Sequence, residues 1–189
     1  MSHDIAEQHR SFAATFTEKV DGVRDWDVPT PVAEWTARDV VGHLTEWLPG
    51  MLAGGSDLTV AVPVSAAEDP AAAWSSVRDG VQAILDDPEQ SGRPFRSQMV
   101  PEMTVGAMLG QFWVPDVFLH AWDLAVATGQ DDALEPGYTM ELLDGFRTIE
   151  PMLRESGQFG VQQPVADDAG VQAKLIAFIG RDPEWTPPA

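Results

Sequence analysis

The sequence predicts an all-α fold, an antiparallel four-helix bundle with extra C-terminal helices. Three observations predict it. Apolar residues recur at helical spacing in four long segments. Gly and Pro clusters separate those segments. The one stretch with strand character, 58–64, carries Pro63 in its interior. The length of 189 residues fits one domain, 1–189, with 155–189 as a C-terminal extension packed on the bundle.

The first helix is expected over 4–24, with Ile5, Phe12, Phe16, Val20 and Val23 on one side. Pro29 and Pro31 forbid its continuation. The second starts at Thr36, an N-cap with Asp39 as the third helical residue, and Trp35 and Val40 form a hydrophobic staple. It runs to about 53 and stops at Gly54-Gly55. A loop follows to 69. The third helix covers 70–85, with Trp74, Val77, Val81 and Leu85 on one side. A connection rich in Pro, Gly and Arg spans 86–101. The fourth helix covers 104–128 and closes at Gly129, and Pro115 inside it should kink it or free a carbonyl. A fifth is expected over 138–155, and a short last one over 169–179, ending at Gly180.

Charge and composition exclude several roles. Thirty Asp and Glu oppose 11 Lys and Arg, a net charge of -19. Such a field repels nucleic-acid phosphates and anionic membrane surfaces. With 44% hydrophobic residues the chain has the apolar mass for a core. Its longest charge-free run, 103–115, is 13 residues, too short to span a bilayer. The start Met1-Ser2-His3-Asp4 lacks a basic segment followed by an apolar one, so no signal peptide and a cytoplasmic location are expected. There is no cysteine, which removes disulfides, Cys-ligated zinc and any protein thiol nucleophile. A thiol would have to arrive with a cofactor. Most of the acidity reads as solvated surface.

The fourth helix is apolar on nearly all sides, so it belongs in the bundle interior. Yet Asp116, His120 and Asp123 share one of its faces. Buried charge must be paired, hydrated or ligating a cation. Asp116 and His120 project together one turn apart, a two-ligand platform for a divalent metal. Alone, the pair is equally an Asp that orients a core histidine. His43, at the edge of the apolar arc of the second helix, supplies a third group. Three N, N and O ligands leave a position open, the pattern of a catalytic site. Asp123 can hydrogen-bond His120 and fix its tautomer, or move a proton. Its alternative is an ion pair with an arginine. Trp47 and Trp113 flank the site as substrate-pocket candidates, with core packing as the other reading. Glu46 faces away from the apolar arc. His3 and His9 read as solvated surface. No dinucleotide, P-loop, nucleophile-elbow or H-E-x-x-H motif occurs.

The residues Pro29-Thr30-Pro31 and Glu34-Trp35-Thr36-Ala37-Arg38-Asp39-Val40-Val41-Gly42-His43-Leu44 resemble the N-terminal domain of mycothiol-dependent maleylpyruvate isomerase. The run Asp116-Val117-Phe118-Leu119-His120-Ala121-Trp122-Asp123-Leu124-Ala125, with Ala127-Thr128-Gly129-Gln130 after it, is similar to small actinobacterial metal-binding proteins related to that domain. So are the endings Gly157-Gln158-Phe159-Gly160 and Gly180-Arg181-Asp182-Pro183-Glu184-Trp185. The resemblance implies a DinB-like four-helix bundle with a divalent metal, often zinc, on His43, Asp116 and His120. Where the family usually has Glu, this chain has Asp116. The isomerase also has a second domain, so its own activity does not follow from the likeness.

The expectation is a site with Zn2+, or with Ni2+ or Fe2+ in its place, that works with a low-molecular-weight thiol such as mycothiol. It would act as a transferase or isomerase on a small electrophilic substrate. The alternative is a non-catalytic metal-binding or stress-related bundle protein. A homodimer is compatible with either.

Overall fold

The first three long helices each begin where the sequence supplies a cap. In the computed structural model, which describes residues 4–98 and 100–188, the Asp4 carboxylate accepts from the Ala6 N–H at 3.0 Å and opens α1 (Ile5–Asp21). Thr36 opens α2 (Ala37–Gly55), and the Asp39 carboxylate accepts from the Thr36 N–H at 2.8 Å and its hydroxyl at 2.6 Å. This helix passes the expected stop and includes Gly54 and Gly55. Phe95 lies so close to Gly55 that a Cβ there would clash with its ring, and the Arg96 N–H donates to the Gly55 carbonyl at 2.8 Å. Tertiary packing thus holds two poor helix formers in place.

The segment 58–64 forms no strand. Leu58 and Val60 are buried from a loop, and Val60 packs against Gly80. Asp69 caps α3 (Pro70–Asp86) by accepting from the Ala72 N–H at 3.0 Å. The expected plain connection over 86–101 is more structured than its composition suggests. Asp87-Pro88 repeats the Asp69-Pro70 start signal on a small scale and opens α4 (Pro88–Ser91). Then β1 (Pro94–Phe95) pairs antiparallel with β2 (Met103–Thr104).

The fourth segment continues as α5 (Val105–Met108), a π-helical turn over Leu109–Trp113, and α6 (Val114–Thr128). The Val114 N–H donates to the Leu109 carbonyl, five residues back. Pro115 cannot donate and its ring crowds the preceding turn, so the widened turn beside it is where the helix absorbs the misfit. Gly129 ends α6 at φ 67°, a left-handed cap.

The fifth helix is two helices, which corrects the single span expected over 138–155. They are α7 (Pro136–Thr148) and α8 (Glu150–Glu155), with Ile149 at φ -120° between them. Pro151 has no N–H to continue the ladder and disfavours helical geometry at the residue before it. Last comes α9 (Val171–Phe178).

Cross-contacts set the helix directions. Between α1 and α3, His9 meets Gln82 and Thr17 meets Trp74, so these run antiparallel. Between α2 and α6, His43 meets His120 and Trp47 meets Trp113 in the π-turn just before α6, again antiparallel. Between α1 and α6, His9 meets Trp113 and Phe12 meets Phe118, so these run parallel. The bundle is therefore all-α, with α1 and α6 pointing one way and α2 and α3 the other. Tyr138 of α7 packs tilted against Phe12 and edge-on against Phe118, and α9 packs on α7. Among the described residues, no helix is long and apolar enough to cross a membrane.

Candidate metal centre

The antiparallel contact of α2 with α6 decides the site. Asp116 lies in the first turn of α6 and His120 one turn on, while His43 lies in the second turn of α2. Asp116 Oδ2 is 3.1 Å from His43 Nε2, and Asp116 Oδ1 is 3.4 Å from His120 Nε2. One donor atom from each of the three residues lies within 4.8 Å of the others. Among the described residues, this is the group of His, Asp and Glu side chains placed to hold a metal ion. Two ligands of a tetrahedral zinc stand ~3.3 Å apart, so the donor set and its spacing suit such an ion. Asp116 is further anchored by the Trp47 indole N–H, which donates to Oδ2 at 2.9 Å.

His120 is held from behind. Its Nδ1 lies 2.9 Å from Asp123 Oδ2. Asp123 is fully buried, and Arg181 grips both of its oxygens, Nε to Oδ1 and Nη2 to Oδ2, each at 3.2 Å. Both readings of Asp123, hydrogen-bond partner of His120 and ion-pair partner of an arginine, hold at once. With no exposed surface, Asp123 meets the site through His120.

The electrostatics follow from this layout. Burial pushes the Asp116 carboxyl up, but His120 and His43 overcome it and hold the group well below the usual carboxylate range. Burial pushes the His120 imidazolium down, yet Asp116 and Asp123 raise its pKa to about 9. Burial also raises Asp123, and Arg181 and then His120 reverse that. Without a metal, the centre at neutral pH is an imidazolium clasped between two carboxylates.

The tryptophans divide differently from the expectation. Trp47 touches the site through Asp116. Trp113 is fully buried between Trp74 and Trp47, with ring centroids at 6.2 and 5.9 Å, so it backs the site and does not line it. Trp35, expected only as a staple partner of Val40, lays its ring over the centre, 5.1 Å from the His43 ring and stacked 5.8 Å from that of His120. Glu34 precedes it in a left-handed conformation, φ 65°, and the Thr30 N–H donates to the Trp35 carbonyl at 2.9 Å, fixing the approach of that ring. Glu46 is exposed and outside the cluster. His3 lies outside the described residues.

His9 corrects the surface reading. It is 1% exposed, and its Nδ1 lies 2.8 Å from Gln82 Oε1, while its Nε2 has no partner among the described residues. Its polar sequence neighbours Glu7, Gln8 and Arg10 concealed this, because one residue of a polar stretch still faces inward on the α1 stripe with Phe12, Ala13 and Phe16.

A family whose description is the mycothiol maleylpyruvate isomerase N-terminal domain matches residues 6–125. The chain belongs to this family. The match takes in α1 through most of α6, hence His43, Asp116, His120 and Asp123, and leaves Arg181 beyond it. Two uncharacterized proteins of Mycobacterium tuberculosis, from strains CDC 1551 / Oshkosh and ATCC 25618 / H37Rv, are each 30% identical to this family member over 159 residues, covering 81% of this chain and 83% of theirs. No solved structure matches the chain.

Proposed function

We propose that this protein holds one divalent cation, Zn2+ in the first instance, on His43, Asp116 and His120, and that it uses the centre with a low-molecular-weight thiol such as mycothiol as a transferase or isomerase. The substrate is a small electrophilic molecule, and the setting is the cytoplasm. One observation carries the reading: three ligating side chains from two helices converge within 4.8 Å while the far nitrogen of His120 is already engaged by Asp123. With Nδ1–H so engaged, His120 offers Nε2 to a metal that displaces its proton there, giving the neutral form in which imidazole ligates metals. The family supplies the thiol part of the reading.

When bound, the cation supplies a Lewis acid that lowers the pKa of a thiol and so favours a thiolate nucleophile. The protein's own groups do the rest. His43 and Asp116 are partly open to solvent, with side chains 33% and 24% exposed, and mark the side from which a ligand enters. Trp35 lies against both imidazole rings, tilted on His43 and stacked on His120. The Trp47 N–H keeps Asp116 turned toward the two histidines.

Metal analysis of untagged protein tests the binding part. About one metal per chain is expected, and His120→Ala should abolish it. Unchanged metal in that variant would remove the centre. Thiol-dependent turnover of electrophilic substrates by the loaded protein, followed as thiol consumption for transfer and as substrate isomerisation with the thiol returned, then tests catalysis. No thiol-dependent turnover by fully loaded protein would leave a binding role in its place.

A further inference from the structure

Asp123, the partner of His120 Nδ1, is gripped by a residue that lies beyond the matched family domain. Arg181 follows α9, 58 residues after Asp123, and its side chain is only 14% exposed. The backbone is built to bring it there. Gly180 has φ 93°, and a Cβ on it would lie 2.6 Å from the Gly160 Cα. The chain can make this turn only with glycine at that point. The Arg181 N–H donates to the Ile176 carbonyl at 3.0 Å, which fixes where the side chain departs. Its guanidinium then meets Asp123 through Nε and Nη2, one to each oxygen. A two-point grip of this kind sets the plane of a carboxylate, where a single charge sets only its distance. The plane of Asp123 in turn sets the direction from which Oδ2 meets His120 Nδ1.

We infer that Arg181 is a positioning residue of the metal centre: by gripping Asp123 at two points it orients the His120 ring so that Nε2 faces Asp116 and His43. The inference rests on the metal-binding reading above. It makes the C-terminal segment a working part of the site, and places its action on one ring and not on the fold at large.

The experiment compares Arg181→Met, Arg181→Lys, Asp123→Asn and the double variant Asp123→Asn/Arg181→Met with the full-length protein. Zn2+ affinity is measured by competition with a chromogenic chelator, and the His120 Nδ1–H is followed by NMR in metal-free protein. Arg181→Met should weaken Zn2+ about 10–100-fold, the usual effect of losing a group that orients a ligand histidine. Arg181→Lys should recover only part of this, because an ammonium restores the charge without the fork. In the Asp123→Asn background, Arg181→Met should cost nothing more, since the arginine acts through Asp123. The Nδ1–H signal should be lost in Arg181→Met while the amide spectrum of the bundle persists.

Arg181→Met leaves the buried Asp123 carboxylate without its arginine, with His120 alone to offset its charge. If it does not fold, the comparison of Arg181→Lys with wild type, and of the double variant with Asp123→Asn, decides the matter. Equal Zn2+ affinity in wild type and Arg181→Lys, or the same loss from Arg181→Met in both backgrounds, would overturn the inference. Wild-type protein that takes up no Zn2+ defeats the metal reading instead. In that case the Nδ1–H alone decides: its persistence without the arginine fork refutes positioning, and its loss supports it.

Discussion

His120 Nδ1 lies 2.9 Å from Asp123 Oδ2, and this contact governs what the other nitrogen of the ring can do. With Nδ1 committed, Nε2 is the only atom of His120 left to face Asp116, 3.4 Å away. In metal-free protein Nε2 carries a proton toward that carboxylate. With a metal it must give the proton up. The same ring is thus a buried cation in one state and a neutral ligand in the other, and the two states respond to pH in opposite directions.

Metal-free protein should lose stability on the alkaline side. The folded-state pKa of His120 is raised to about 9, above its ordinary 6.5. A raised pKa stabilises the fold fully below about 6.5, and that stability is lost as pH rises toward 9. The loss should be on the order of a few kcal/mol, since a tenfold change in proton affinity is worth about 1.4 kcal/mol. Urea denaturation in the presence of a chelator at pH 6 and pH 9.5 measures it. Equal midpoints at the two values would contradict the clasped imidazolium.

Metal affinity should do the reverse and strengthen as pH rises through the same window, because binding displaces the His120 proton. At a free metal concentration about 1,000-fold above Kd, binding adds about 4 kcal/mol to stability. For a domain of this size that raises Tm by roughly 8–16 °C. Thermal melts with and without Zn2+ at pH 6 and pH 8 check both statements, with the larger shift expected at pH 8.

The convergence of His43, Asp116 and His120 was legible in the sequence for local reasons. Asp116 and His120 are one turn apart on a helix too apolar to be exposed, and His43 stands at the edge of an amphipathic stripe. The caps at Thr36 and Gly129 were legible for the same reason, since cap chemistry acts over three or four residues. What lay hidden depends on distant partners. Arg181 reaches Asp123 across 58 residues, and no spacing rule links them. Trp35 has the pattern of a staple, but the closeness of α2 and α6 turns its ring toward two imidazoles. The break at Ile149 had a local signal, Pro151, outweighed by the apolar periodicity around it.

Asp116 tolerates a longer acid better than a neutral amide. Glu supplies the same carboxylate with one more methylene, at a side chain that is 24% exposed. Asp116→Glu should keep one metal per chain with affinity within about tenfold, a change of ~1.4 kcal/mol. Asp116→Asn should lose metal as His120→Ala does. It should also flatten the alkaline decline of metal-free protein, because Asp116 is the main opposing charge on His120. Calorimetric titration and the same urea series read both effects.

His9 should dominate a different limb. Burial holds its pKa below 6.5, with the Gln82 contact only partly offsetting this. A depressed histidine pKa means the unfolded chain takes up the proton first, so stability falls as pH drops below 6.5 toward the folded value. His9→Phe removes that contribution. Its stability should change less than that of wild type between pH 7 and pH 5, whatever its absolute value. Parallel curves for the two proteins would show that His9 stays protonated or exposed.

Gly180→Ala tests the turn that delivers Arg181. The substitution places a Cβ at φ 93° and within 2.6 Å of the Gly160 Cα, so the strand of chain at 160 and the end of α9 must separate. Strain of this kind costs about 1–3 kcal/mol, and the close backbone approach puts the expected loss at the upper end. The consequence should extend beyond stability. The Gly160 N–H donates to the Ile179 carbonyl at 3.2 Å, one residue before the turn, so parting these segments shifts the point from which Arg181 departs. Metal affinity should fall with it, although Gly180 touches no ligand. Gly129→Ala is the control, because it carries the same left-handed strain at φ 67° with open space around it and no tie to Arg181. A stability loss in both variants, with metal affinity reduced only in Gly180→Ala, is the expected result in a urea series paired with a chelator competition. Equal affinities in the two variants would mean that the turn at Gly180 serves the fold alone.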